Sequence, residues 1–72
     1  MPTIFREGNW KITMYFLDHP PPHFHIVTSA REEAQVRLSD LSVMAGAVPS
    51  TVLGAAVAWA EANLPLFERK WA

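Results

Sequence analysis

A chain of 72 residues holds one small domain, near the lower limit at which a hydrophobic core is stable without help. It has no cysteine, which excludes a disulfide framework and a thiolate metal site. Six basic against seven acidic residues give a formal net charge of −1, which excludes nucleic-acid binding driven by bulk charge but leaves a local basic patch open. Half of the residues are hydrophobic, as in a folded protein, and no apolar run approaches the roughly 20 residues that cross a bilayer. Met1-Pro2-Thr3-Ile4-Phe5-Arg6 lacks the basic-then-apolar pattern of a signal peptide, so a cytoplasmic location without membrane contact is expected.

In chain order, Thr3 to Arg6 reads as a short first strand, ended by the turn pair Gly8-Asn9. The run from Trp10 to Leu17 alternates, with Trp10, Ile12, Met14 and Phe16 on one face and Lys11, Thr13 and Tyr15 on the other. Asp18-His19-Pro20-Pro21-Pro22-His23-Phe24-His25 follows. Its prolines cannot donate to a ladder and hold their neighbours extended, so a stiff corner is expected there. The third strand then sets Phe24, Ile26 and Thr28 against His23, His25 and Val27. After a polar turn at Ser29-Ala30-Arg31-Glu32, a fourth strand from Glu33 to Leu38 points Ala34, Val36 and Leu38 inward and Glu33, Gln35 and Arg37 outward.

Ser39-Asp40 breaks that strand. Leu41 to Met44 reads as a fifth, and Gly46 and Pro49 close the sheet region. Ser50 is the expected N-cap of a helix reaching about Asn63, with the stripe Val52, Leu53, Ala56, Val57, Trp59, Ala60 and Leu64. Pro65 suits the first turn of a short last helix ending at Trp71. The expected fold, over the single domain 1–72, is α+β: an antiparallel sheet of four or five strands, a long C-terminal helix packed on one face, and a short terminal helix.

The histidine corner supports three readings. In the plainest, the imidazoles are partly exposed and brace the proline turn. In the second, His19, His23 and His25, with Asp18, hold zinc. Against this, Phe24 and Ile26 sharing a face with Val36 and Leu38 places Gln35 and Arg37 beside the histidines, and a guanidinium repels a dication. The third reading uses that same neighbour. His23 and His25 would serve as general base and acid on a phosphodiester, and Arg37 would stabilise the charge that develops. His19, Gln35, Lys11 and Tyr15 would bind the ligand, with Tyr15 stacked on a base of RNA. No cofactor is expected except zinc under the second reading. No nucleophilic cysteine, phosphate-cradling glycine loop or Gly-x-Ser-x-Gly elbow is present. Glu32 and Glu33, adjacent at the turn, are expected to be solvated, and Trp59 and Trp71 to anchor the core or its edge.

From Thr51 to Ala60 the helix carries no charge, and Gly54, Ala55, Ala58 and Ala62 are small. This is either an ordinary alanine-rich helix or a flat surface for another chain, as a homodimer or with a cognate small protein.

Met1-Pro2-Thr3-Ile4, Met14-Tyr15-Phe16, the run from Asp18 to His25, and Gly46, Pro49, Trp59 and Trp71 together resemble a family of small bacterial proteins, domain-of-unknown-function family 4160. The chain departs from that family's pattern where Ile26, Val27 and Thr28 replace an alanine and then a tyrosine. The resemblance implies His19, His23 and His25 as the candidate site. It also implies a neighbouring small protein as partner, in pairs suggested to be toxin–antitoxin modules. The expected function is therefore an interaction module in such a pair. The alternatives are an RNA-cleaving or phosphodiester-binding toxin and a histidine-ligated zinc domain.

Overall fold

The alternating runs form a five-stranded antiparallel sheet in the spatial order of the chain, followed by two helices, an α+β fold. A computed structural model describes residues 3–14 and 21–71, in 70 and 71 the backbone alone. The strands are β1 (Thr3–Glu7), β2 (Trp10–Thr13), β3 (His23–Thr28), β4 (Glu33–Arg37) and β5 (Val43–Ala47). The helices are α1 (Ser50–Ala62) and α2 (Leu64–Trp71). The second strand was expected to reach Leu17. It ends at Thr13, and residues 15–20, with Tyr15, Asp18 and His19, lie outside the described residues.

Parity sets the register. Phe24 pairs with Val36 and Ile26 with Ala34 across β3 and β4, and Ile26 pairs with Ile12 across β2 and β3. Antiparallel partners point to the same side, so these apolar residues share one face, the inner one. Ile12, Phe24, Ile26 and Val36 are completely buried there, with Trp10, Met14 and Leu38 beside them. Ala56 and Ala60 of α1 and Phe67 of α2 belong to the same cluster. Rings tie helices to sheet: Phe67 packs on Phe24 at 4.8 Å between centroids, and Trp59 stacks on Phe5 at 4.3 Å. Of the expected stripe, Val52, Leu53, Trp59 and Leu64 are half-buried against this core, whereas Val57 is half-buried without joining it.

Around β5 and the start of α1 the boundaries differ from expectation, each for a local reason. The fifth strand starts at Val43, not Leu41, because the turn before it is longer. The Asp40 carboxylate accepts from both the backbone N–H (3.1 Å) and the hydroxyl (2.7 Å) of Ser42, and Leu41 adopts a φ of 57°. Gly46 does not close the sheet but lies inside β5 with φ +76°, where an added Cβ would strike the Glu33 carbonyl oxygen. The N-cap of α1 is Pro49, with no side-chain hydrogen bond, and Ser50 is already in the helix. The helix instead starts on the backbone bond from Leu53 N–H to the Pro49 carbonyl (2.9 Å). It ends at Asn63, whose side-chain amide donates to the Trp59 carbonyl at 2.8 Å.

Candidate functional site

β3 is the central strand, so its outward side chains are flanked on both sides by neighbours. Residues paired across the strands set out the outer face in rows. The first runs Arg6, Lys11, Val27, Glu33 and Ala47, the second Thr3, Thr13, His25, Gln35 and Ala45, and the third joins His23 to Arg37. The expected juxtaposition of histidines with Gln35 and Arg37 is therefore the observed register.

The expected exposure is not observed. His23 is only 5% exposed and His25 7%, and Thr13 beside His25 is completely buried. The imidazole planes are tilted by 48° with centroids 5.2 Å apart. Each ring is held through Nδ1 by an acceptor: His23 Nδ1–H donates to the Pro21 carbonyl (2.8 Å), and His25 Nδ1–H donates to Glu33 Oε2 (2.6 Å). A carbonyl or carboxylate can only accept, so both rings carry their proton on Nδ1, and in a neutral ring Nε2 holds the lone pair. The corner prolines contribute directly, because Pro21 presents its carbonyl two residues before the ring that it binds.

Among the described residues, two buried polar atoms on this face have no hydrogen-bond partner, the Thr13 hydroxyl oxygen and the Arg37 Nε. Arg37 reaches Asp40 through Nη1 at 3.6 Å, a loose contact between half-exposed groups. The Asp40 carboxyl is held below its ordinary value first by the Ser42 side chain, then by the Ser42 backbone, with Arg37 contributing less. At the other end of the face, Arg6 and Lys11 stand directly opposite each other and make no ion pair among the described residues. Like charges so placed repel. An open pocket of about 230 Å³ lies beside them, lined in part by Asn9, Val27 and Ser29.

Of the residues singled out in the sequence, the fold brings His23, His25, Gln35 and Arg37 together and places Lys11 one row away. Tyr15 and His19 are outside the described residues, so the expected base-stacking and zinc sets fall there in part. Among the described residues no group of three or more histidine, cysteine, aspartate or glutamate side chains is arranged to hold a metal ion. Two residues escaped the sequence reading. Glu33, expected to be only solvated, is a strand residue that orients His25 while remaining half-exposed. Its signal was its outward position two residues before Gln35. Thr13 gave no signal beyond its parity with Lys11.

A family model described as a domain of unknown function (DUF4160) matches residues 9–72, which takes in the histidine corner, the site rows from β2 onward and both helices. The chain belongs to the DUF4160 family. Comparison with curated proteins and with solved structures finds no match. DUF4160 membership agrees with the resemblance to that family read from the sequence. Among the described residues no helix is long and apolar enough to cross a membrane.

Proposed function

We propose that this protein is an interaction module that binds a cognate small protein, as one half of a toxin–antitoxin-like pair. The observation that carries the reading is the β5 edge. Among the described residues no strand pairs with the outer side of β5, and four of its five residues are exposed. Val43, 43% exposed, is the one exposed large hydrophobic residue among those described. From Leu41 to Trp59, through β5 and into α1, no residue is ionisable, and Thr51, Gly54, Ala55 and Ala58 are exposed on the helix.

Sheet edges are ordinarily guarded by charge, proline or irregularity, because an open ladder recruits other strands. The opposite edge follows that practice: β1 carries Arg6 and Glu7 and shifts register between Thr3 and Phe5. β5 has a register irregularity of its own, but no charge. Depletion of charge is also what distinguishes the centre of protein interfaces. The partner's identity follows from the family resemblance, which implies a small protein encoded alongside.

Co-expression with the neighbouring gene product tests the reading. The expected result is a co-purifying complex that Val43→Lys and Ala45→Lys each abolish, with an unchanged circular dichroism spectrum. A chain that shows no binding to that product at micromolar concentration, or a complex indifferent to both lysines, contradicts it.

A further inference from the structure

We infer that the outer face of the sheet, along the charged rows that run from β1 to β4 and adjoin the β5 edge, binds the sugar–phosphate backbone of a single-stranded nucleic acid through contacts other than those of the proposed partner. Thr13 and Arg37 flank the histidine pair at its centre, and Arg6 and Lys11 form a second cationic contact.

The first observation is the Thr13 hydroxyl, completely buried and without a partner. An unpaired buried polar group lowers stability, and a 72-residue domain has little to spare. The second is the Arg37 Nε, also buried and unpaired. A guanidinium only donates, and a hydroxyl can donate, so each atom takes its own acceptor oxygen, which reaches it as the side chains covering it move aside. The carboxylates on this side are already engaged, Glu33 by His25 and Asp40 by Ser42. A dication is excluded by the adjoining guanidinium, which leaves an anionic ligand rich in oxygen.

Charge gives the ligand its length. Arg6, Lys11 and Arg37 face outward, with Glu33 as the counter-charge in these rows and Asp40 loosely against Arg37, which leaves Arg6 and Lys11 as the local cationic excess on a chain of net charge −1. Arg6 on β1 and Arg37 on β4 are three strand spacings apart across the sheet and four residues apart along it, about 19 Å in all, which is too far for one phosphate and spans several along a strand. The repulsion between Arg6 and Lys11, facing each other with no acid between them, is relieved by the same polyanion. Imidazoles are the only rings in these rows among the described residues, so contact is made with the backbone and is insensitive to base sequence.

The test is fluorescence anisotropy of the full chain with labelled mixed-sequence RNA and DNA strands of about 10 nucleotides, with inorganic phosphate as competitor. Three cationic contacts give an expected slope of log K against log salt of about −2. Lys11→Gln and Arg37→Gln are each expected to reduce that slope by about 0.7. Thr13→Val is expected to weaken binding on the order of fivefold without lowering the urea midpoint, which separates lost contact from lost fold. Absence of binding at low salt, or binding that Thr13→Val and Arg37→Gln leave unchanged, overturns the inference. So does inorganic phosphate bound as tightly as the strands with Arg6→Gln and Lys11→Gln without effect, which would reduce the site to one phosphate.

Discussion

The two faces of β3 bury their side chains by different means. Inward, Phe24 and Ile26 are completely enclosed by carbon, from Ile12 and Val36 in the sheet to Phe67 in the last helix. Outward, His23 and His25 are nearly as enclosed, but among polar neighbours, and the enclosure is incomplete in bonding: Thr13 and Arg37 each retain an unpaired buried atom. Apolar burial stabilises the fold in proportion to the area removed from water, whereas polar burial stabilises only when each group finds a partner. The inner face therefore supplies the stability of this fold. The outer face holds polar groups in fixed positions at some cost to it, which is what a binding surface requires.

The largest expected effect separates the faces at once. Phe24→Ala removes a fully buried ring from against Phe67, and should cost about 3–5 kcal/mol, a large share of what a small domain possesses. Urea denaturation should find the variant at least partly unfolded in buffer. A loss of only a few tenths would mean that the inner face is not the core. Next comes Gly46→Val, at the junction of β4 and β5. Its left-handed backbone alone is worth about 1–3 kcal/mol of strain for a side-chain-bearing residue, and the Glu33 carbonyl blocks the new Cβ. A thermal midpoint close to that of the wild type would show that β5 relaxes freely at its edge.

These contrasts explain which parts were legible in the sequence. Strict parity in Trp10 to Thr13, Phe24 to Thr28 and Ala34 to Val36 was enough to place Gln35 and Arg37 on the face of His23 and His25, because a slip by one residue would have exposed Phe24 and Ile26, whereas the specific pairing of His23 with Arg37 is seen only in the fold. The turn before β5 was opaque because the two hydrogen bonds that Ser42 donates to Asp40 Oδ1 and the left-handed Leu41 have no periodic signal. The start of α1 was misplaced by one residue, because a serine at that spot suggests a side-chain cap while the chain uses only backbone after Pro49. On the outer face, alternation identified the side of each residue but not its depth. The burial of Thr13 and the reach of Glu33 across a diagonal to His25 depend on side-chain packing, which parity does not encode.

Smaller effects sharpen the outer half of the comparison. Glu33→Ala should cost only about 0.5–1 kcal/mol, because the carboxylate is half-exposed and solvent screens it. Its signature is spectroscopic. In the wild type, nitrogen NMR should show His23 and His25 protonated at Nδ1, and the variant should release His25 from that tautomer while His23, held by the Pro21 carbonyl, keeps it. Equal changes at both rings would contradict the separate anchoring. The smallest effect concerns Asp40, whose carboxyl is lowered chiefly by Ser42. A depressed carboxyl contributes stability above its unfolded-state value and loses it as pH falls through the folded one. The stability difference between wild type and Ser42→Ala should therefore be present at neutral pH and vanish in acid, below the ordinary carboxylate range. A difference that grows on acidification would have the wrong sign.

The most direct test of the division between faces is the urea midpoint of Thr13→Val at neutral pH. The substitution keeps shape and removes a completely buried hydroxyl that has no partner. A midpoint equal to or above that of the wild type is expected, because no hydrogen bond is lost and a desolvated polar atom is removed. A midpoint lowered as far as that of Phe24→Ala would show that Thr13 supports the fold, and would remove the case for the outer face as a surface held ready for a ligand.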